Sequence, residues 1–184
     1  DEGRLPRRFA PRNDNFQRMF GVVQGGPFED LRIESAKFVS QNDFFGVGIG
    51  GALISNEKMI EILDWINPHL DPQKPRHLLG IGAVPEIFEA VEQGIDMFDC
   101  VHPTRIARLG YLLSKEHKKE RFIFDISKAI YSKDPGSVVS GCDCYTCSTY
   151  SKAYLNHLFR SRELLAYRLA TIHNLYFMMG LMKD

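Results

Sequence analysis

Three cysteines fall within six residues: Cys142, Cys144 and Cys147 form the run C-x-C-x-x-C. Thiolates this close in sequence can converge on one ion from a tight turn, and Zn2+ then takes a fourth donor to complete a tetrahedron. Two histidines follow, His157 and His173, and spacing alone leaves the choice between them open. With four protein donors such a site is closed, so its role is structural rather than catalytic. The second chemical feature is Asp99, in "IDMFDCVHPTR", residues 95–105. A carboxylate inside an apolar run is costly if it is buried without partners, so it asks for a function. Cys100, beside it, reads as a small buried filler. The run reads as breaking into a loop at Pro103.

The elements that must position these residues are legible as alternation. Apolar runs at Met19–Gly26, Phe44–Gly51, Arg76–Gly82 and Asp96–Val101 are separated by helical patterns at 27–42, 55–70 and 84–94. Ser55 is placed to cap the second helix, Pro85 sits in the first turn of the third and Gly94 stops it. The order is βαβαβαβ. The runs are continuously apolar, as parallel strands buried on both faces must be. This allows a doubly wound sheet or part of a (β/α)8 barrel, and in both the ligand meets the C-terminal strand ends. Three runs end in glycine and the fourth carries Asp99. Gly46, Gly48 and Gly51 satisfy G-x-G-x-x-G, but the acidic residue that a dinucleotide site needs at the end of the next strand is missing; the nearest, Asp71, lies in the preceding loop. Close backbone approach to another planar ligand is the better reading. After Arg108 the pattern changes to a hairpin or irregular extension, and two helical stretches, broken near Ser161, close the chain.

Composition excludes little. The 184 residues are 44% apolar, 25% charged and balanced at 23 Lys/Arg against 23 Asp/Glu, as in an ordinary soluble domain. Between His102 and Arg121 six basic residues (Arg105, Arg108, Lys115, Lys118, Lys119 and Arg121) face two glutamates, Glu116 and Glu120; such a stretch serves phosphates or is simply a solvated face. No apolar run has the roughly 18–20 residues of a membrane span, and no signal peptide is visible. Clustered cysteines suit metal ligation in a reducing, cytoplasmic setting better than a secreted disulfide framework. Residues 1–18, polar, rich in Arg and Pro and without an initiating Met, read as an irregular lead-in that looks more like a cut or an artificial boundary than a natural start.

Taken together, "FGVVQGG", "GIGG", "LLGIG", "DMFDCVHPTRIAR" and "CDCYTC" followed by "TIHN" resemble the tRNA-guanine transglycosylases, or queuine tRNA-ribosyltransferases, in the right order from Phe20 to the C-terminus. The resemblance implies an α/β fold of TIM-barrel type. This chain would supply the second half of the barrel (19–135, about four β/α units) and a zinc-binding helical subdomain (136–184). It implies base exchange at the anticodon wobble position of tRNA: guanine leaves and a 7-deazaguanine, queuine or its precursor, takes its place. A carboxylate forms the covalent link to ribose C1′, as in retaining glycosidases, and the matching residue is Asp99.

The same resemblance assigns the base to Gln24, Gly51 and Leu79. It assigns RNA to Gly80, Ile81, Gly82, Ala83, Val84, Pro85 and Glu86, and to Thr104, Arg105, Ile106, Ala107 and Arg108. It selects His173 as the fourth ligand of one structural Zn2+, requires no organic cofactor, and implies a homo- or heterodimer. Differences are also visible. The family's second acid belongs to the barrel half preceding Phe20. "ALISNE" after Gly51 is one residue longer than the family's L-x-x-G-E, with Glu57 standing in for its Glu. His102 stands where an apolar residue is usual, and Leu109 where Asn is. A degenerate, non-catalytic accessory subunit that docks tRNA or pairs with a catalytic partner is the alternative these differences leave open.

Overall fold

The computed structural model of the chain describes residues 18–51 and 55–183. The lead-in, apart from Arg18, and the segment after Gly51, residues 52–54, lie outside the described residues. The chain divides into two compact units, the first running to Leu79 and including 89–98, the second comprising 80–88 and the residues from Asp99 onward.

The first unit is built on a sheet. β1 (Phe20–Val23), β2 (Gly46–Ile49), β3 (Arg76–Leu79) and β4 (Met97–Asp99, whose final residue belongs to the second unit) stand in the order β1-β2-β3-β4. β1 pairs with β2 in parallel, as β2 does with β3, with Val23 opposite Ile49 and Ile49 opposite Leu78. Strands following one another in chain order are those of consecutive β/α units in a barrel; a doubly wound sheet reverses order at its switch point. Helices α1 (Glu29–Gln41) and α2 (Asn56–Ile66) make the crossovers. Their apolar sides, with Val39, Ile62, Leu63 and Ile66, bury with Val47, Ile49 and Leu78. Ser55 caps α2 as expected, its hydroxyl accepting from the Lys58 amide at 3.2 Å. α1 ends without a basic residue of its own; Lys74 supplies one, its ammonium donating to the carbonyls of Ser40 and Asn42 at 3.0 and 2.7 Å, where the helix end favours a cation.

The G-x-G-x-x-G run is not a phosphate loop: Gly46 and Gly48 lie inside β2. A Cβ at Gly46 would sit 2.3 Å from the Phe20 ring, so this glycine makes room for an aromatic. α3 (Val84–Glu92) starts with Pro85 in its first turn and is followed by Gly94 at φ +80°, in line with the sequence.

The second unit is mostly helical. α4 (His102–Arg108) replaces the expected loop: Pro103 lies in its first turn, where a missing N–H costs nothing. The extension is a two-stranded antiparallel hairpin, β5 (Tyr111–Leu113) with β6 (Ile123–Asp125). It is followed by α5 (Tyr145–Thr149), α6 (Lys152–Arg160) and α7 (Leu164–Leu181), so the helical C-terminus does break around Ser161. One core joins Leu112, Phe124, Val138, Cys144, Cys147, Leu155 and Leu169; a second joins Val84, Ile106 and Leu113 with Phe177 and Leu181. Among the described residues no helix is long and apolar enough to cross a membrane.

Candidate functional site

The cysteine run folds into the N-terminus of α5. Cys144 is its cap, with the sulfur accepting from the Cys147 amide at 3.4 Å. That turn brings all three sulfurs to His173, on α7. Nδ1 of His173 lies 3.7 Å from Cys142 Sγ, 3.5 Å from Cys144 Sγ and 3.3 Å from Cys147 Sγ. The four donor atoms lie within 4.8 Å of one another. A tetrahedral ion with bonds of ~2.3 Å to sulfur and ~2.0–2.1 Å to nitrogen separates S from N by about 3.5 Å, so the donors fit such an ion. His157, the other candidate, is exposed on α6 and takes no part.

The electrostatics point the same way. The Cys144 thiol is held down to about 3, first by a hydrogen bond from Cys147 and then by His173. The Cys147 thiol is pushed up by that same bond and by burial, and burial raises Cys142. Three thiols in one pocket cannot all ionise on their own. A coordinated dication removes that conflict by deprotonating them outright.

Outer contacts orient the imidazole. His173 Nε2 is 2.8 Å from the Leu113 carbonyl, which makes Nε2–H the donor and leaves Nδ1 for the metal. The next residue, Asn174, is also buried. Its side-chain oxygen accepts from the Leu113 amide, and its amide donates to the Pro103 and Tyr111 carbonyls, each at 3.0 Å. The pair His173–Asn174 thus ties α7 to β5 and to the first turn of α4. Thr146 fixes α5 to α7, its hydroxyl donating to the Leu169 carbonyl at 2.7 Å.

Asp99 ends β4 rather than sitting within it, and its side chain is exposed, so the expected burial penalty does not arise. The Gly80 amide donates to the Asp99 backbone carbonyl at 3.0 Å and approaches its carboxylate at 3.4 Å. Cys100 is only partly buried. Its sulfur accepts from the His102 amide at 3.2 Å, and its Cβ would lie 2.3 Å from a Cβ on Gly82; it is a turn-forming residue against a glycine rather than a core filler.

Along α4, Ile106 and Ala107 are buried while Arg105 and Arg108 are exposed. The Thr104 hydroxyl donates to the Val101 carbonyl at 3.1 Å. In the 80–86 segment Ile81, Gly82 and Val84 are buried, and Gly80, Ala83, Pro85 and Glu86 are partly so. Glu86 pairs with Arg121. His102 is a helix N-terminal residue rather than a loop one, and its Nε2 is buried without a hydrogen-bond partner. Burial, then Arg105, hold its pKa below the ordinary histidine value, against an opposing pull from Glu86.

In the first unit, Gln24 follows β1 and Gly50–Gly51 follow β2. The Gln24 side-chain amide lies against the glycines: a Cβ on Gly50 would be 2.4 Å from Gln24 Nε2, and one on Gly51 3.0 Å from Oε1. Gly51 has φ +66°. The Leu79 side chain at the end of β3 is partly buried and reaches Gly48. Glu57 is exposed in the first turn of α2, where its own amide and the Ser55 hydroxyl lower its pKa. Sequence reasoning missed Arg32 of α1, which is fully buried behind these strand ends; its only signal was an arginine on the side of α1 that carries Ala36 and Val39.

Three thiols and an imidazole close enough to hold a metal ion, in a chain that also folds a parallel sheet of consecutively ordered strands, define an α/β protein with a Cys3His cluster. The family model of queuine tRNA-ribosyltransferases matches residues 4–184. The chain is 48% identical over 175 residues to an Archaeoglobus fulgidus protein, covering 92% of this chain and 43% of that one. It is 46% identical to the queuine tRNA-ribosyltransferases of Roseiflexus sp. (99% of this chain, 45% of the relative) and Thermoanaerobacter sp. (95% and 46%). The chain belongs to the queuine tRNA-ribosyltransferase family. It spans somewhat less than half the length of these curated relatives.

Proposed function

We propose that this chain carries the nucleophile and part of the RNA surface of a tRNA-guanine transglycosylase, within the second half of a (β/α)8 barrel. The observation that carries the reading is Asp99: in a member of this family, an exposed carboxylate stands at the C-terminal end of a strand, oriented by the Gly80 amide. Its carboxylate oxygen attacks C1′ of the wobble guanosine. The C1′–N9 bond breaks, its electrons leave with guanine, and a general acid protonates the departing base. N9 of a 7-deazaguanine, after losing its proton, then attacks C1′, and the ester bond to Asp99 breaks to return the free carboxylate.

Gln24, Gly51 and Leu79 bind the base. Arg105 and Arg108, exposed on one side of α4, bind phosphates or base edges as members of the 104–108 segment, and the 80–86 segment contributes further RNA contacts. Zn2+ in the Cys142–Cys144–Cys147–His173 site holds α5, α7 and β5 together and takes no part in the transfer. The enzyme is cytoplasmic and works as a dimer. The test is incorporation of radiolabelled guanine into tRNA by the whole protein that carries this chain. Incorporation is the expected result; tRNA binding with no incorporation favours the accessory-subunit reading instead.

A further inference from the structure

α1 carries a cation that the transfer chemistry does not use. Arg32 is fully buried, and among the described residues no carboxylate pairs with it. Burial lowers its pKa from the ordinary value. A buried charge is costly unless its hydrogen bonds are met, and here backbone carbonyls meet them. Nε donates to Gly26 at 2.8 Å, Nη1 to Gly50 at 2.6 Å and Nη2 to Gly51 at 2.9 Å, with Val23 a longer 3.5 Å from Nη1. Val23 and Gly26 bracket Gln24; Gly50 and Gly51 follow β2. One planar, five-donor group therefore fixes the backbone on both sides of the two residues assigned to the base.

We infer that Arg32 is a positioning residue for recognition of a purinone-type base, an inference that rests on the reading that Gln24 and Gly51 meet that base. A trans peptide points its C=O and the following N–H in opposite directions. With the Gly50 carbonyl turned onto Arg32, the Gly51 N–H points away from the guanidinium, beside the Gln24 amide. A charged donor on the carbonyl also polarises the same peptide, strengthening its N–H as a donor. The result is a fixed N–H next to a side-chain amide, which matches the adjacent acceptor and donor of a purinone lactam edge. Lysine keeps the charge but cannot reach three carbonyls in one plane.

The experiment compares the whole wild-type protein with Arg32→Lys. The expected result is at least a tenfold rise in KM for guanine, with kcat changed less than threefold and KM for tRNA less than twofold. A purely structural role would lower the folded fraction and hence kcat instead. A folded Arg32→Lys protein with unchanged KM for guanine overturns the inference while leaving the functional reading intact. Should Arg32→Lys not fold, hydrogen–deuterium exchange of the wild type decides: the Gly51 amide is expected to slow at least tenfold on adding guanine, and no slowing in protein that binds guanine overturns the inference. Wild type that binds no guanine overturns the functional reading and this inference with it.

Discussion

Asn174→Ala is the substitution whose cost the structure defines most fully. Asn174 is completely buried and makes three hydrogen bonds of 3.0 Å to backbone groups of Pro103, Tyr111 and Leu113. Truncation removes all three and leaves an amide and two carbonyls without this partner. Each orphaned buried group costs about 1–3 kcal/mol. The carbonyls keep a second lone pair for other contacts, so the sum falls short of the maximum, and the expected loss is about 3–5 kcal/mol. Asn174→Asp keeps the acceptor for Leu113 but sets a carboxylate oxygen against two carbonyls, so it is expected to lose at least as much near neutral pH. The assay is urea denaturation at saturating Zn2+, which keeps the metal contribution constant. Exchange of the α4 amides should also accelerate, since Asn174 on α7 holds the first turn of that helix through the Pro103 carbonyl. A loss below about 0.5 kcal/mol for Asn174→Ala would refute the argument that these bonds anchor α4.

Cys147→Ser or His173→Ala should reduce bound zinc from about one per chain to near zero by atomic absorption, with a large fall in thermal stability, because such sites contribute their binding energy to folding. Acidification should strip the metal from the wild type as protons compete for the thiolates and the imidazole. For His102 the sign is set by its depressed folded pKa: its contribution is fully present above the unfolded value near 6.5 and is lost as pH falls through the folded value. The stability of the wild type relative to His102→Gln should therefore decline as pH falls below about 6.5 in urea titrations, and a flat difference would show that His102 is not held neutral.

The strands were readable because their runs are continuously apolar, although only β2 is buried along its whole length and β1 and β4 leave Val22 and Met97 exposed; glycines and Asp99 marked where the runs end. α4 was hidden because Pro103 in isolation signals a break, whereas in a first helical turn the same ring favours the helix. The metal ligands split along similar lines. Three cysteines in one turn are a local signal, but the choice of His173 over His157 depends on how α7 returns past β5, which no spacing encodes. The left-handed turn at Arg121 and Phe122, at φ +58° and +67°, has no glycine to announce it. Arg32 was the deepest omission. An arginine four residues into a helix looks like surface charge, and only the fold reveals three carbonyls converging on it.

The central claim is that Asp99 is the nucleophile. The direct measurement is trapping of the covalent protein–tRNA adduct on denaturing gels, with the whole protein, tRNA and a base analogue that stalls the second transfer. The wild type is expected to form an adduct whose cleaved peptide carries the modification at Asp99, and Asp99→Asn, folded and still binding tRNA, is expected to form none. Adduct formation by Asp99→Asn at the wild-type level, or a modification mapped to another residue, would contradict the account.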